Sequence, residues 1–245
     1  MDSYNYYKSA ELYYSNPKIP PIGTVKQKPA RKLKIAFFTE SPAGIASHPD
    51  VVHSIHQAAS FCEKLGHEVI LIKSPFLQET KIDFLAYWSF VTYMLKRFGK
   101  FTYGFGYKAS KLETFTSQMA KVYPKIMFNT PLIVKRLKAF SVYYASLFEK
   151  YDVLLNPVLS HPVPKIGYFS PHNNFFSTIE KLSQYVNFTI IQNITGAPSI
   201  SLPMGKCKNG LPIGAQFSTK FGADARLLEL AFEIESNNGL LNWDL

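Results

Sequence analysis

Serine catalysis needs a base within hydrogen-bond reach of the hydroxyl and donors for the oxyanion that forms. Serine stands beside histidine twice in this chain, at Ser47-His48 and at Ser160-His161. Both pairs fall in cap or loop contexts, and neither sits in the G-x-S-x-G elbow that raises a nucleophile above a sheet, so no Ser-His-acid triad is read from them. His53 and His56 lie one turn apart on an expected helix with Asp50 before them, a spacing that can grip a metal ion. No third ligand follows at a recognisable interval, and the pair reads as an ordinary helix face. Gly104-Phe105-Gly106-Tyr107-Lys108-Ala109 fits a loosened dinucleotide pattern, but it follows a helix instead of a strand and reads as a loop. These residues nominate no catalytic group, no metal site and no cofactor.

The most ordered pattern lies further on. Asn193-Ile194-Thr195-Gly196-Ala197-Pro198-Ser199-Ile200-Ser201-Leu202-Pro203-Met204-Gly205 is followed by Gly210-Leu211-Pro212-Ile213-Gly214-Ala215-Gln216-Phe217. Ser199 to Leu202 alternates polar and apolar at strand period, Asn209-Gly210 is a strong hairpin signal of the type I′ kind, and Ile213 to Phe217 resumes the strand. The run resembles the C-terminal signature of the amidase signature family, N-x-T-G-x-P-x-x-S-L-P-x-G and then G-L-P-I-G-x-Q. Asn193, Gly196, Pro198, Ser201, Pro203, Gly205, Gly210, Pro212, Gly214 and Gln216 are the matching scaffold positions. Upstream, Lys34 to Pro42 with His48 to Val52, Leu65 to Val69, and Tyr151 to Pro157 resemble further family blocks in family order.

That resemblance implies a fold and leaves out a chemistry. Family members use a serine nucleophile, a second serine in a cis peptide and a lysine base, set around a Gly-Gly-Ser-Ser-Gly-Gly-type loop. A non-proline cis peptide costs about 3 kcal/mol and has to be held by its surroundings. This chain has no Gly-Gly pair, and neither Lys64, Lys73 nor any other lysine sits in the family's strand-end context. The resemblance therefore implies the C-terminal portion of a hydrolase of carboxamide C–N bonds, inactive alone, as a truncated product or one chain of a split enzyme. Its expected partners are an N-terminal amidase half or a second copy of itself, with a small amide substrate only when completed. A non-catalytic binding module on the same scaffold is the alternative, and polyanion binding a third.

At 245 residues with 47% hydrophobic content the chain can bury a sizeable core. Lys+Arg 27 against Asp+Glu 17 gives +10. The basic residues read as dispersed, and no nucleic-acid motif accompanies them, so neither nucleic acid nor a membrane is an expected partner. Two basic groups, Lys26, Lys28, Arg31, Lys32 and Lys34, and then Lys135, Arg136 and Lys138, read as solvated faces. Cys62 and Cys207 read as free thiols in a reducing compartment. With no signal-like N-terminus, the expected location is cytoplasmic. Residues 182–205 lack charge yet hold too many polar and proline residues for a bilayer span, and the glycosylation patterns at Asn187 and Asn193 read as coincidence.

Positioning falls to an α/β framework, a mixed sheet flanked by helices, resembling the C-terminal half of the amidase signature fold. Residues 1–31 read as an irregular lead-in and 32–245 as one incomplete amidase-like region. A strand at 33–38, a helix opened by Ser47, Pro49 and Asp50 and closed by Gly66, and a strand at 67–72 form a crossover with parallel strands. A helix at 81–98 is read as turning Leu85, Trp88, Val91, Leu95 and Phe98 into the core, with a ligand pocket as the alternative. Helices at 111–123 and 132–150, broken by Pro124 and Pro131, precede a strand at 152–159, a helix at 179–187, the hairpin, and a helix at 223–235.

Overall fold

The computed structural model describes residues 21–41, 46–76, 78–170 and 173–237. Residues 1–20 of the expected lead-in lie outside these, and residues 21–31 have no regular structure. The strands are β1 (Lys34–Phe37), β2 (Glu68–Leu71), β3 (Val153–Pro157), β4 (Ser199–Lys206) and β5 (Pro212–Ser218), in the sheet order β2-β1-β3-β5-β4. β1 lies parallel to β2 and β3, whereas β5 runs antiparallel to β3 and β4. The helices are α1 (Pro49–Lys64), α2 (Gln78–Tyr103), α3 (Thr114–Met119), α4 (Thr130–Lys150), α5 (Phe175–Tyr185), α6 (Ile190–Thr195) and α7 (Asp224–Ser236). The expected mixed α/β sheet is therefore present, with β2 and β4 as its edges.

Successive strand side chains point to opposite faces, and each face finds its own cover. On one, Ile35, Phe37, Val153, Leu155, Leu202, Ala215 and Phe217 pack against Ile55, Ala58 and Cys62 of α1 and Leu227, Leu230 and Ile234 of α7. On the other, Ala36, Phe38 and Leu154 meet Phe140 and Tyr144 of α4 and Ile190 and Ile191 of α6. This second face is apolar over β1, β3 and, through Ile70, β2, but not over β5, a difference that defines the site below.

Several expectations are corrected. The cap of α1 is His48, whose Nδ1 accepts the Asp50 N–H at 3.2 Å, while Ser47 Oγ donates to the Thr39 carbonyl at 2.9 Å. Pro131 does not break a helix; it stands in the first turn of α4, where a missing N–H costs nothing. The helix expected over 111–123 shortens to α3, flanked by single 3₁₀ turns. The helix expected to end near Asn187 ends at Tyr185, and α6 follows as a separate helix. The hairpin loop holds Lys208, Asn209 and Gly210, because Gly210 N donates to the Cys207 carbonyl and Cys207 N to Leu211. That is the three-residue loop with a left-handed glycine, φ 81°, instead of a type I′ turn.

The basic groups are not merely solvated. Arg31 clasps Asp152 with both terminal nitrogens, and Lys34 N donates to the same carboxylate at 2.9 Å. Lys32 Nζ reaches buried Glu233 on α7 at 3.2 Å. Glu233 also meets His67 Nε2 at 3.2 Å, while His67 Nδ1 accepts the Leu33 N–H. Arg136 on α4 grips the buried Asp83 of α2, Nε to Oδ2 at 2.6 Å. Helix α2 is likewise turned around. It buries Thr80, Lys81, Asp83, Ser89 and Thr92, leaving Val91 and Phe98 44% and 42% exposed.

Candidate functional site

Ala215 and Phe217 of β5 face α1 and α7, so Gln216 and Ser218 point to the opposite face, as do their cross-strand neighbours. Gln216 stands opposite Asn156 on β3 and Ser201 on β4; Ser218 stands opposite Leu154 and Ser199. The result is a polar seam running across three strands. Asn156 Nδ2 donates to Gln216 Oε1 at 3.0 Å and to the Pro157 carbonyl at 2.6 Å, and Gln216 Nε2 donates to Ser199 Oγ at 3.2 Å. Asn156 and Gln216 are buried, whereas Ser199 and Ser201 are open to solvent. One row away Gln192 Nε2 of α6 donates to Ser218 Oγ at 2.9 Å, beside the buried Tyr144, whose phenol burial pushes far above its ordinary value.

Two acceptors in this seam, Asn156 Oδ1 and Gln192 Oε1, are buried and meet no donor among the described residues. A buried unpaired carbonyl is costly. The seam can hold and orient an amide or a backbone segment. It contains no group that could take its proton, since carboxamides and unactivated hydroxyls do not titrate near neutrality.

The signature positions build the surroundings. Asn193 Nδ2 donates to the Thr189 carbonyl at 3.2 Å within α6, and Gly196, at φ 68°, ends that helix in the left-handed conformation. The Pro198 carbonyl accepts the Thr219 N–H at 3.2 Å. Pro203, on an edge strand where proline is tolerated, pairs with Gly214, and Pro212 opens β5 opposite Lys206. A Cβ on Gly214 would lie 2.8 Å from Val158 Cγ2 and 2.9 Å from Ser201 Oγ, so this glycine keeps the seam open. Gly205 lets α1 approach through Ser54, and Gly210 turns the hairpin.

A second feature lies on the face of α2 that reads from sequence as core or, alternatively, as a pocket wall. Phe84, Trp88 and Val91 of α2 with Ile179, Val186 and Ile190 line an apolar groove of about 390 Å³ between α2, α5 and α6. Lys81 lies at its wall, and its ammonium donates to the Ser183 carbonyl at 2.6 Å and to Asn187 Oδ1 at 3.0 Å. Burial lowers its pKa. Asn187 Nδ2 in turn donates to Ser160 Oγ at 3.0 Å. Ser160, fully enclosed, therefore meets an amide and not an imidazole.

The histidines come together without forming a triad. His48 and His161 rings are 6.3 Å apart, and His161 is pushed below the ordinary histidine value by burial and then by His48. His56 packs edge-on against Phe37 at 5.2 Å, and Asp50 Oδ2 accepts the Lys208 N–H at 3.0 Å, which ties α1 to the hairpin loop. Among the described residues no three His, Cys, Asp or Glu side chains gather as metal ligands, and no helix is long and apolar enough to cross a membrane. Sequence reasoning missed Asn156, Gln192, Asp83 and Lys81. The signal for the last two was there, as two charges set one turn or less from Phe84 and Leu85 in an otherwise apolar helix.

A mixed sheet with this seam beside a glycine-punctuated hairpin defines a scaffold of the amidase type. Residues 7–228 match the family model described as Amidase, and the chain belongs to the amidase signature family. It is 35% identical to AmiC of Mycobacterium leprae, which is described as an amidase, over 96% of this chain and 50% of that protein. It is 26% identical to an amidase of Synechocystis, over 96% of this chain and 44% of that protein. The fold matches 6-aminohexanoate cyclic dimer hydrolase with a TM-score of 0.74 at 22% identity, over 91% of this chain and 48% of that one. The chain thus spans about half the length of the curated relatives it matches.

Proposed function

We propose that this chain is the C-terminal, substrate-enclosing portion of a hydrolase that cleaves carboxamide C–N bonds, and that it has no hydrolytic activity alone. The observation that carries the reading is the seam of Asn156, Gln216 and Ser199 beside the signature hairpin, which offers hydrogen bonds but no nucleophile with its base. In this reading the Ser-cisSer-Lys set is supplied by an N-terminal half of the family type, packed against the polar side of β4, where Ser199 and Ser201 are exposed. The exposed hydroxyls of Ser199 and Ser201 would meet that half or the substrate. The groove between α2, α5 and α6 would receive the apolar acyl part of a small amide.

The test has two arms. Purified chain is treated with a fluorophosphonate serine probe and a simple aryl amide, alone and after co-expression with a family N-terminal half carrying the serine loop. The expected outcome is no labelling alone, and labelling confined to the added half when both are present. Stoichiometric labelling of a serine in this chain alone would overturn the proposal. A soluble complex without any hydrolysis would favour the non-catalytic binding module instead.

A further inference from the structure

The C-terminal end of α2 carries an exposed group of side chains that the seam and groove do not use. Phe101 and Phe105 are 89% and 93% exposed, and Tyr103 is 67% exposed, with Phe98 beside them. The arrangement is built and fastened. Tyr107 OH donates to the Leu95 carbonyl at 2.7 Å, its ring lies where Gly99 has no Cβ, and it stacks on Tyr103 at 6.0 Å. Gly104, at φ 80°, reverses the chain, and a Cβ on Gly104 or Gly106 would meet no atom within 4 Å, so the turn projects into open space. Lys100 Nζ stands 5.4 Å from the centroid of the Phe105 ring.

The charge around this knob has one sign. No acidic residue occurs between Asp83 and Glu113, while Lys96, Arg97, Lys100, Lys108 and Lys111 all fall there. Over residues 94–138 of the sequence, ten Lys or Arg accompany Glu113 alone, and one of the ten, Arg136, is held by Asp83. Seventeen of the 27 basic residues lie elsewhere, so the basic residues are dispersed, but this segment is where they go uncompensated in sequence by acidic ones. Exposed rings interleaved with cations on a projecting tip suit a surface that is apolar beneath and anionic outside.

We propose that this knob docks the protein on an anionic lipid bilayer, with Phe101 and Phe105 entering the headgroup boundary and the surrounding cations meeting lipid phosphates and carboxylates. The contact is interfacial, since no described helix is fit to span a membrane. A second copy of the chain is the poorer occupant, because it would bring cations against cations. Single-stranded nucleic acid also stacks on aromatic rings, but it does so along a groove that tracks its backbone, and this feature is a tip.

The experiment is cosedimentation of the chain with vesicles of phosphatidylcholine alone or with phosphatidylserine added. Binding is expected only to the anionic vesicles, with release at high salt. Lys100→Gln with Lys108→Gln is expected to weaken it about twenty-five-fold, given a roughly fivefold effect for each cation near such a surface. Phe101→Ser with Phe105→Ser is expected to weaken it comparably while leaving the melting temperature unchanged, because both side chains contact mainly solvent. Failure to bind anionic vesicles, equal binding to both kinds, or tighter binding of single-stranded DNA would overturn the proposal. So would self-association that disappears in the phenylalanine variant.

Discussion

Gly205 and His67 show how single side chains are bound to distant elements. A Cβ on Gly205 would stand 3.2 Å from the Ser54 Cα and closer still to its side chain, so Gly205→Ala is expected to destabilise by about 1 to 3 kcal/mol, measured as a lower urea midpoint. Gly210→Val forces a branched residue to φ 81° and is expected to cost about 1 kcal/mol or more, lowering the melting temperature. His67 is held below its ordinary pKa first by burial, with Lys32 pushing the same way and Glu233 opposing. Its Nδ1 already accepts the Leu33 N–H, so the single proton belongs on Nε2, towards Glu233. The unfolded chain then takes up a proton that the folded chain refuses. Stability is full above about pH 6.5 and falls as pH drops below it, and His67→Gln should flatten that slope in melts run across the range. The signature glycines were legible as punctuation; the partner that forbids a side chain at Gly205, Ser54, lies 151 positions away and leaves no local trace.

At the level of elements, strand alternation did most of the predictive work and helix amphipathicity misled at α2, while the stripes of α1 and α7 are buried as their spacing implies. Every strand expected from sequence is present, because period-2 runs ended by proline and glycine leave few alternatives. The apolar stripe of α2 reads as core, but the helix buries the opposite, polar stripe through Lys81 and Asp83, each satisfied by a partner from a later element. Periodicity identifies a two-faced helix without saying which face is covered when both have partners. The polar seam was half legible. Gln216 belonged to the recognised signature, but Asn156, at the end of an apolar strand, becomes meaningful only when the register sets it opposite Gln216. Asn156→Ala is expected to leave Gln216 Oε1 without its donor and to cost about 1 to 3 kcal/mol in chemical denaturation. Asn156→Asp should be worse, because it replaces the donor with a charge that the seam does not pair.

In the molecule as a whole both sheet faces carry helices, and β4 is the strand whose polar side reaches solvent. Helices α1 and α7 cover the apolar face completely, while β4 runs along an edge with Ser199 and Ser201 exposed. An uncovered edge is a template for association, and here only Pro203 and the register shift after it interrupt the strand. The isolated chain is expected to self-associate in light scattering, and to become monodisperse when co-expressed with a family N-terminal half. A lone, cooperatively melting monomer would count against the fragment reading. The sheet order has a further consequence, for the time course of folding. Central β3 bonds to β1, more than a hundred residues before it, and to β5, some sixty residues after it, and α7 follows later still. A chain made from its N-terminus can pair β1 with β2 early, but Val153, Leu155 and Phe37 stay without α7 until that last helix has been made as well. Nascent chains of this sequence should therefore carry that apolar face covered by α1 alone until α7 arrives, and their yield should depend on chaperones and translation speed as well as on the stability of the finished fold.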